Sequence, residues 1–265
     1  MKLPRIARVE CDGFDYSIFA TADYISQKIF QEGTWERTVH AASALLLSGF
    51  DAPTVVDVGA NIGLYSVPVA SRISAVGGKL FAFEAQRIVF QQLCANIFAN
   101  RLDCVWAFNK AVGHHRGEID MPTIDYTKAI NVGAFSLDEN LQRLRGLEGG
   151  VDRSRTERLE MIALNEFDID GRVRLLKVDV EGMELEVIRG AHDFLENHQY
   201  PPILFETWED DAFADGRKSL FDEIASLGYA ISRLGRDNFL AQNPKNEALV
   251  QIRVDGKKVE LSRIK

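Results

Sequence analysis

"VVDVGANIGLYSVPVA", residues 55–70, runs from an unbroken apolar strand into a turn holding Gly59, Asn61 and Gly63, and then into a helical pattern. In open α/β sheets a ligand binds beyond the carboxyl end of a strand, where the chain turns into a helix. Gly59 and Gly63 carry no Cβ, so the backbone can turn sharply and come close to a bound group. Asp57, two residues before the first glycine, is an acceptor for an ammonium or hydroxyl group and a poor neighbour for a pyrophosphate. The run is not the G-x-G-x-x-G of a nicotinamide site.

Outward from this turn, apolar stretches of strand type alternate with helical periodicities, the pattern of a parallel sheet with helical crossovers. "TVHAASALLLSG" sets Val39, Ala42 and Leu46 on one helical face before the strand. "KLFAFE" reads as the second strand, "RIVFQQLCANIFAN" as its crossover helix with Val89, Leu93 and Ile97 on one face, and "CVWAFNKAVG" as the third strand. "RVRLLKVDV" and "PPILFETW" are later strands, and "YAISRL" with "NFLAQN" a terminal hairpin. "ELEVIRGAHDFLENH" reads as a helix with Leu185, Ile188, Ala191 and Leu195 on one face. Residues 114–160 interrupt this rhythm: they are polar, glycine-punctuated and too long for an ordinary connection, so they read as an insertion.

Glu84, at the end of "FAFE", stands where doubly wound folds place the acid that pairs with ribose hydroxyls. A glycine turn and a strand-end acid each also occur as plain structure. Together at successive strand ends, with Asp57, they specify a nucleoside-bearing ligand with a cationic amino-acid arm, the shape of S-adenosylmethionine. "LLKVDVEGMELEVIRGA" is the second unusual stretch, because a strand buried on both faces should be almost wholly apolar. Lys177, Asp179 and Glu181 alternate along its end, putting a cation between carboxylates at the sheet edge that carries the glycine turn. Such a set is either an ion-pair network ordering that edge or a catalytic group with shifted pKa values. Glu206, closing "PILFE", can join it.

Composition bounds the rest. With 265 residues, 46% of them hydrophobic and 26% charged, the chain suits one large α/β domain. A net charge of −8 lacks the basic stripe that grips nucleic acid, so no nucleic-acid partner is expected. Cys11, Cys94 and Cys104 are too few and scattered for a disulfide framework or a zinc site, which suits a reducing compartment. No apolar stretch approaches a membrane-spanning length, and a soluble cytoplasmic protein with no membrane partner is expected.

These motifs together resemble the FkbM family of S-adenosylmethionine-dependent methyltransferases. "VVDVGANIGLYS" is similar to that family's first motif, "FAFEAQ" to its second, "NKAVG" to its third-strand segment, "LLKVDVEGMELEVIRGA" to its most distinctive stretch and "ILFE" to the strand after it. The likeness runs in order from about Thr34 to Glu206. It implies a Rossmann-like class I methyltransferase fold: α/β, a mostly parallel seven-stranded sheet with helices on both faces, and an insertion between the third and fourth core strands. On that basis residues 1–265 form one methyltransferase domain, with 1–50 an N-terminal cap segment and 114–160 a substrate-specificity insertion.

The same resemblance implies that Asp57, Gly59, Asn61, Gly63 and Glu84 line the cofactor, with Asn109 to Ala111 near the adenine. It implies methyl transfer to a hydroxyl oxygen, often on a sugar or secondary metabolite, with S-adenosylhomocysteine as product. Two segments depart from the pattern: Ala163-Leu164-Asn165 stands where the family shows T-L-D, and "NVGAFSL" matches a Gly-rich Ser-Leu element only loosely. Both lie in the region expected to shape the acceptor site. Trp35 and Glu36 resemble a segment that closes over the cofactor; the plain alternative is a helix start capped by Thr34.

A hydroxyl is a weak nucleophile until its proton is leaving, so a base is expected. Asp179 or Glu181 is the first candidate, with Lys177 holding a carboxylate or offsetting developing charge. His114 and His115 could serve instead, and His192 is weaker still. A magnesium ion on the carboxylates, binding a substrate diol, is the less favoured alternative, and no metal site is assigned. A nitrogen acceptor on a peptide or nucleic-acid base is the runner-up, although "DVEG" replaces the N-P-P-Y/F-like motif that base amino groups would favour. A nucleoside-binding protein without chemistry is the third reading. Tyr126, Lys128, Phe135 and the arginines 143, 145, 153, 155 and 158 of the insertion either grip an anionic acceptor or form a solvated face.

Overall fold

Thr54–Val58 is buried at every position, and a strand without a solvent face belongs inside a sheet covered on both sides. The computed structural model describes residues 3–21, 23–128, 143, 150–208, 213–255 and 258–264. In chain order it runs through a hairpin, β1 (Ile6–Cys11) and β2 (Phe14–Phe19), helices α1 (Tyr24–Glu32) and α2 (Arg37–Leu47), then β3 (Thr54–Val58), α3 (Ser66–Ser74), β4 (Lys79–Phe83), α4 (Arg87–Ala99) and β5 (Val105–Phe108). There follow β6 (Ala111–Val112), β7 (Gly117–Ile124), β8 (Val151–Ile162), β9 (Val173–Val178), α5 (Glu184–Arg189), α6 (His192–Asn197), β10 (Ile203–Glu206) and α7 (Ala214–Ser226). Strands β11 (Ala230–Arg233), β12 (Asn238–Gln242), β13 (Val250–Asp255) and β14 (Lys258–Arg263) end the chain.

The main sheet has seven strands in the order β11-β12-β10-β9-β3-β4-β5. Only β12 is antiparallel to its neighbours β10 and β11; the remaining pairs are parallel. The topological switch falls between β3 and β9, whose ends pair as Asp57 with Lys177 and Val58 with Val178. Strand alternation divides the core into two layers. Val55, Leu80, Ala82 and Leu175 face α2, α3 and α4, while Val56, Val58, Phe83, Leu176 and Val178 face α5, α6 and α7. The predicted helix faces are buried as expected: Val39, Ala42 and Leu46 on α2, and Val89, Leu93 and Ile97 on α4.

Two expectations change. The single helix expected over "ELEVIRGAHDFLENH" breaks into α5 and α6 at Gly190, where a Cβ would stand 2.1 Å from the Gly113 carbonyl oxygen. The polar insertion is no plain loop where it is described. β7 and β8 form an antiparallel arm, and β8 also pairs in parallel with β6. Outside the main sheet, the β1–β2 hairpin is stitched to α4 by Asn96 and Gln92, which bond both backbone groups of Ser17 at 2.7 and 3.1 Å. A second hairpin, β13–β14, packs near α2, where the Arg263 guanidinium donates to the Ser48 carbonyl.

Candidate active site

The glycine turn and the end of β4 are one hydrogen-bonded unit. The amides of Gly59 and Ala60 both donate to the Phe83 carbonyl at 2.9 Å. The next residue, Asn61, takes a left-handed conformation (φ 51°) that aims its amide at Glu84 Oε2, 2.9 Å away. The Gln86 amide donates to Glu84 Oε1 at 2.8 Å. Only 6% of Glu84 is exposed, so its carboxylate depends on these two amides. Burial pushes its carboxyl up to about 7, against the pull of the Gln86 and Asn61 amides.

Over this unit lies a cavity of about 510 Å³. Val58, Gly59, Asn61 and Glu84 lie on it with Asp179 and Glu181, and Ala111, Val112, Ile119, Met121 and Met161 supply an apolar wall. Lys110, His114 and His115 line it as well. Lys110 is bound to Glu160 at 2.6 Å and His114 Nδ1 lies 2.9 Å from Glu186. The Tyr126 hydroxyl, buried in the insertion, donates to Gln86 Oε1 at 3.3 Å and so braces the Glu84–Gln86 turn from behind.

Four of the residues expected at the ligand do not line this cavity. Asp57 is wholly buried on the face of β3 that meets α3: Ser66 Oγ donates to its Oδ2 at 2.5 Å, and Lys177 Nζ stands 3.7 Å from its Oδ1. Strand alternation accounts for this, because Asp57 shares the face of Val55 rather than that of Val56 and Val58. Gly63 packs on α4, where a Cβ would stand 2.9 Å from Leu93 Cδ1. Asn109 spends its side-chain amide on the carbonyls of Glu84 and Ala85, at 2.8 and 3.0 Å. Lys177, 5% exposed, lies beneath the site and donates to Asp179 Oδ2 at 2.9 Å. Burial opposes its charge, but Asp179, Asp57 and Glu36 together hold its pKa above the usual lysine range.

Asp179 and Glu181 line both this cavity and a second one of about 570 Å³. The second cavity is walled by Tyr24, Lys28, Trp35 and Glu36 from the N-terminal segment, by Glu206, and by residues 234–238 of the β11–β12 turn. Asn61 also borders both. Three non-glycine residues with positive φ lie here: Glu36 (36°), Asn61 (51°) and Glu181 (55°). Backbone strain of this kind persists where surrounding structure imposes it, and it concentrates at functional sites. Glu206 is pushed up to about 10 by burial and by the charges of Asp179, Glu181 and Glu36. Glu36 was noticed in the sequence only as part of a closing segment, and Asn238 not at all. Their pairing spans the two ends of the chain, and a local pattern carries no trace of it.

Among the described residues, the other sequence-derived candidates lie away from both cavities. α2 is opened by Glu36, not by Thr34. Asn165 accepts from the Phe194 amide at 2.9 Å and so caps α6 instead of shaping an acceptor pocket. His192 is bound to Glu223 at 2.8 Å. Arg158 pairs with Glu118 and Asp120 on the exposed arm, Arg155 lies with Lys128 at a separate surface hollow, and Arg143 and Arg153 line neither cavity. Phe135, Arg145 and "NVGAFSL" lie outside the described residues. Among the described residues, no three His, Cys, Asp or Glu side chains are gathered to hold a metal ion. Nor, among those residues, is any helix long and apolar enough to cross a membrane.

Counted along the chain, the sheet reads 3-2-1-4-5-7-6 with its last strand antiparallel, and the cavities open at the ends of strands 1, 2 and 4: this is the class I methyltransferase fold. The family model of the methyltransferase FkbM domain matches residues 57–231, and the chain belongs to the FkbM methyltransferase family. Methyltransferase sdnD of Sordaria araneosa is 30% identical over 203 residues, covering 68% of this chain and 75% of that protein. Among solved structures, the methyltransferase FkbM of Methylobacillus flagellatus is 17% identical with a TM-score of 0.49. That match covers 76% of this chain, which spans 47% of the longer protein. A SAM-dependent O-methyltransferase of Thermotoga maritima is 9% identical with a TM-score of 0.46, covering 97% and 71% of the two chains.

Proposed function

We propose that this methyltransferase uses S-adenosylmethionine and methylates a hydroxyl oxygen of a sugar or small metabolite. The observation that carries this reading is that two cavities meet at Asn61, Asp179 and Glu181, one suited to a nucleoside and the other to a polar acceptor. The residues of the first cavity fit the cofactor: a buried carboxylate at Glu84 suits ribose hydroxyls, and the apolar wall from Ala111 to Met161 suits a flat base. When bound, S-adenosylmethionine supplies a methyl carbon on a sulfonium, whose bonding electrons leave with sulfur as a neutral thioether.

The chain supplies position and a proton acceptor. Asp179 lies where the cavities join, anchored by Lys177 through one carboxylate oxygen, and takes the proton of the acceptor hydroxyl as its oxygen bonds to the methyl carbon. Glu181, in its left-handed conformation, borders the same junction and is the second candidate base. The three cysteines are free, which agrees with the cytoplasmic location we infer.

The test is calorimetric titration with S-adenosylmethionine and, separately, NADH, followed by detection of S-adenosylhomocysteine formed with hydroxylated sugars and metabolites. Binding of the first ligand alone, and turnover that Asp179→Asn lowers by about 10²–10⁴-fold while cofactor affinity holds, is the expected result. Folded protein that binds NADH, or neither ligand, would overturn the reading.

A further inference from the structure

Glu36 is the residue of the second cavity that its local structure does not explain. It opens α2 with φ 36° and ψ 48°, and its side chain bonds no amide of the helix it starts. That position favours Ser, Thr, Asp or Asn with extended backbone. A glutamate is instead bent into the left-handed region, so the surroundings must impose it. They do so through Asn238, whose Nδ2 donates to Glu36 Oε1 at 2.9 Å across 202 residues of chain. The helix gains no cap from this arrangement; what it achieves is a carboxylate presented to the cavity that Asp179 borders. Burial and the charge of Asp179 both hold the Glu36 carboxyl above its usual range, which places the two groups within each other's field.

The wall around Glu36 limits what can bind. Asp179, Glu181 and Asp237 add carboxylates to the cavity, and Glu206, pushed up to about 10, adds a carboxyl that keeps its proton at neutral pH. Its basic residues are engaged or turned outward. Lys28 lies 4.6 Å over the Trp35 ring, Arg37 is 3.7 Å from Asp12, and Arg236 is 3.8 Å from Asp237 with its side chain 88% exposed. An anionic acceptor would enter among like charges. A compound rich in hydroxyl donors would meet acceptors on several sides.

On the methyl-transfer reading above, we infer that Glu36 is a specificity-determining residue. Its carboxylate accepts a hydrogen bond from a second hydroxyl of the molecule whose first hydroxyl faces Asp179, so the preferred acceptor is a neutral polyol. Mono-alcohols lack the second donor, and phosphorylated or carboxylated sugars are repelled by the wall.

Three six-membered-ring probes test this: myo-inositol, cyclohexanol and myo-inositol 1-phosphate, each titrated by ligand-observed NMR into protein saturated with S-adenosylhomocysteine. Myo-inositol is expected to bind at least about tenfold more tightly than either other probe, the scale of one hydrogen bond to a charged group. Glu36→Gln, which can still accept from Asn238, and Glu36→Gly, which suits the observed φ, are each expected to cut that preference about tenfold without changing affinity for S-adenosylhomocysteine. The Gly variant should also melt no lower than the parent, since glycine tolerates the left-handed region. A merely structural Glu36 would give the opposite pattern: lower melting temperature, unchanged preference. If S-adenosylhomocysteine binds but myo-inositol is not preferred, or both variants keep the preference, the inference fails alone. If S-adenosylhomocysteine does not bind, the methyl-transfer reading fails and takes the inference with it.

Discussion

A Cβ placed on Gly59 would stand 1.8 Å from the carbonyl oxygen of Asp179. The glycine turn after β3 and the charged loop after β9 are therefore interlocked through backbone, and the first can take no side chain while the second holds its position. Gly59→Ala combines a left-handed φ of 82° with this clash, so a loss of about 3 kcal/mol or more is expected in denaturant unfolding. Gly63→Ala shares the left-handed backbone (φ 92°) but meets only side-chain ends, Leu93 Cδ1 at 2.9 Å and Val67 Cγ2 at 3.3 Å, and should cost less, about 2 kcal/mol, with cofactor binding retained. Equal losses for both would mean that the interlock is not what constrains the turn.

Cofactor affinity should depend on pH through Glu84, whose carboxyl sits at about 7. A ribose hydroxyl donates to the ionised form, so binding drives off the proton when the pH is below that value. Affinity for S-adenosylmethionine is expected to fall as pH drops below about 7, approaching tenfold per unit. Glu84→Gln should flatten this dependence and weaken binding by about 1–3 kcal/mol, both read by calorimetry across pH 5.5–8.

Lys177 is the cation on which a fully buried Asp57 depends. Lys177→Met leaves that carboxylate uncompensated and should destabilise the protein by about 3–5 kcal/mol. The double variant with Asp57→Asn should recover part of the loss, a coupling that equilibrium unfolding of the four proteins measures directly.

Glu206 gives the stability curve an unusual slope. Its folded pKa, about 10, is raised above the unfolded value, so the folded state binds the extra proton. The associated stability is complete below about pH 4.3 and is lost as pH rises toward 10, by up to about 1.4 kcal/mol per unit. Glu84 and Glu184, both raised to about 7, act with the same sign over a narrower window. His40 and His198 are lowered by burial and oppose this only below about pH 6.5. Melting temperature should therefore decline from pH 7 to 9, and Glu206→Gln, which cannot ionise, should make that decline shallower. A parallel decline in the variant would assign the slope to other groups.

The sheet was legible because β3, β4 and β9 are short apolar runs between glycine turns and helices with clear apolar faces. The arm formed by β7 and β8 was not. β8 is exposed at every position from Asp152 to Arg158, and alternation is confined to the start of β7, Gly117–Met121, too short to mark a strand pair. The break at Gly190 is set by Gly113, a neighbour distant in sequence. At the site, sequence located the strand ends but could not separate residues that line the cavity from those that support it. Asp57 and Glu84 are both acids near strand ends. Asp57 lies inside β3 beside Lys177, whereas Glu84 lies one residue past β4, where the Asn61 and Gln86 amides hold its carboxylate at the cavity.

The bond between Asn238 and Glu36 also orders events in time. Every residue on the first cavity lies between 58 and 186, whereas the second cavity needs residues 234–238. During vectorial synthesis the nucleoside half of the site is therefore fully encoded in the emerged chain well before the acceptor half. The last turn of the main sheet to leave the ribosome is the one that pins Glu36. On the function proposed above, the chain carries every residue of its donor cavity before the turn that completes its acceptor cavity.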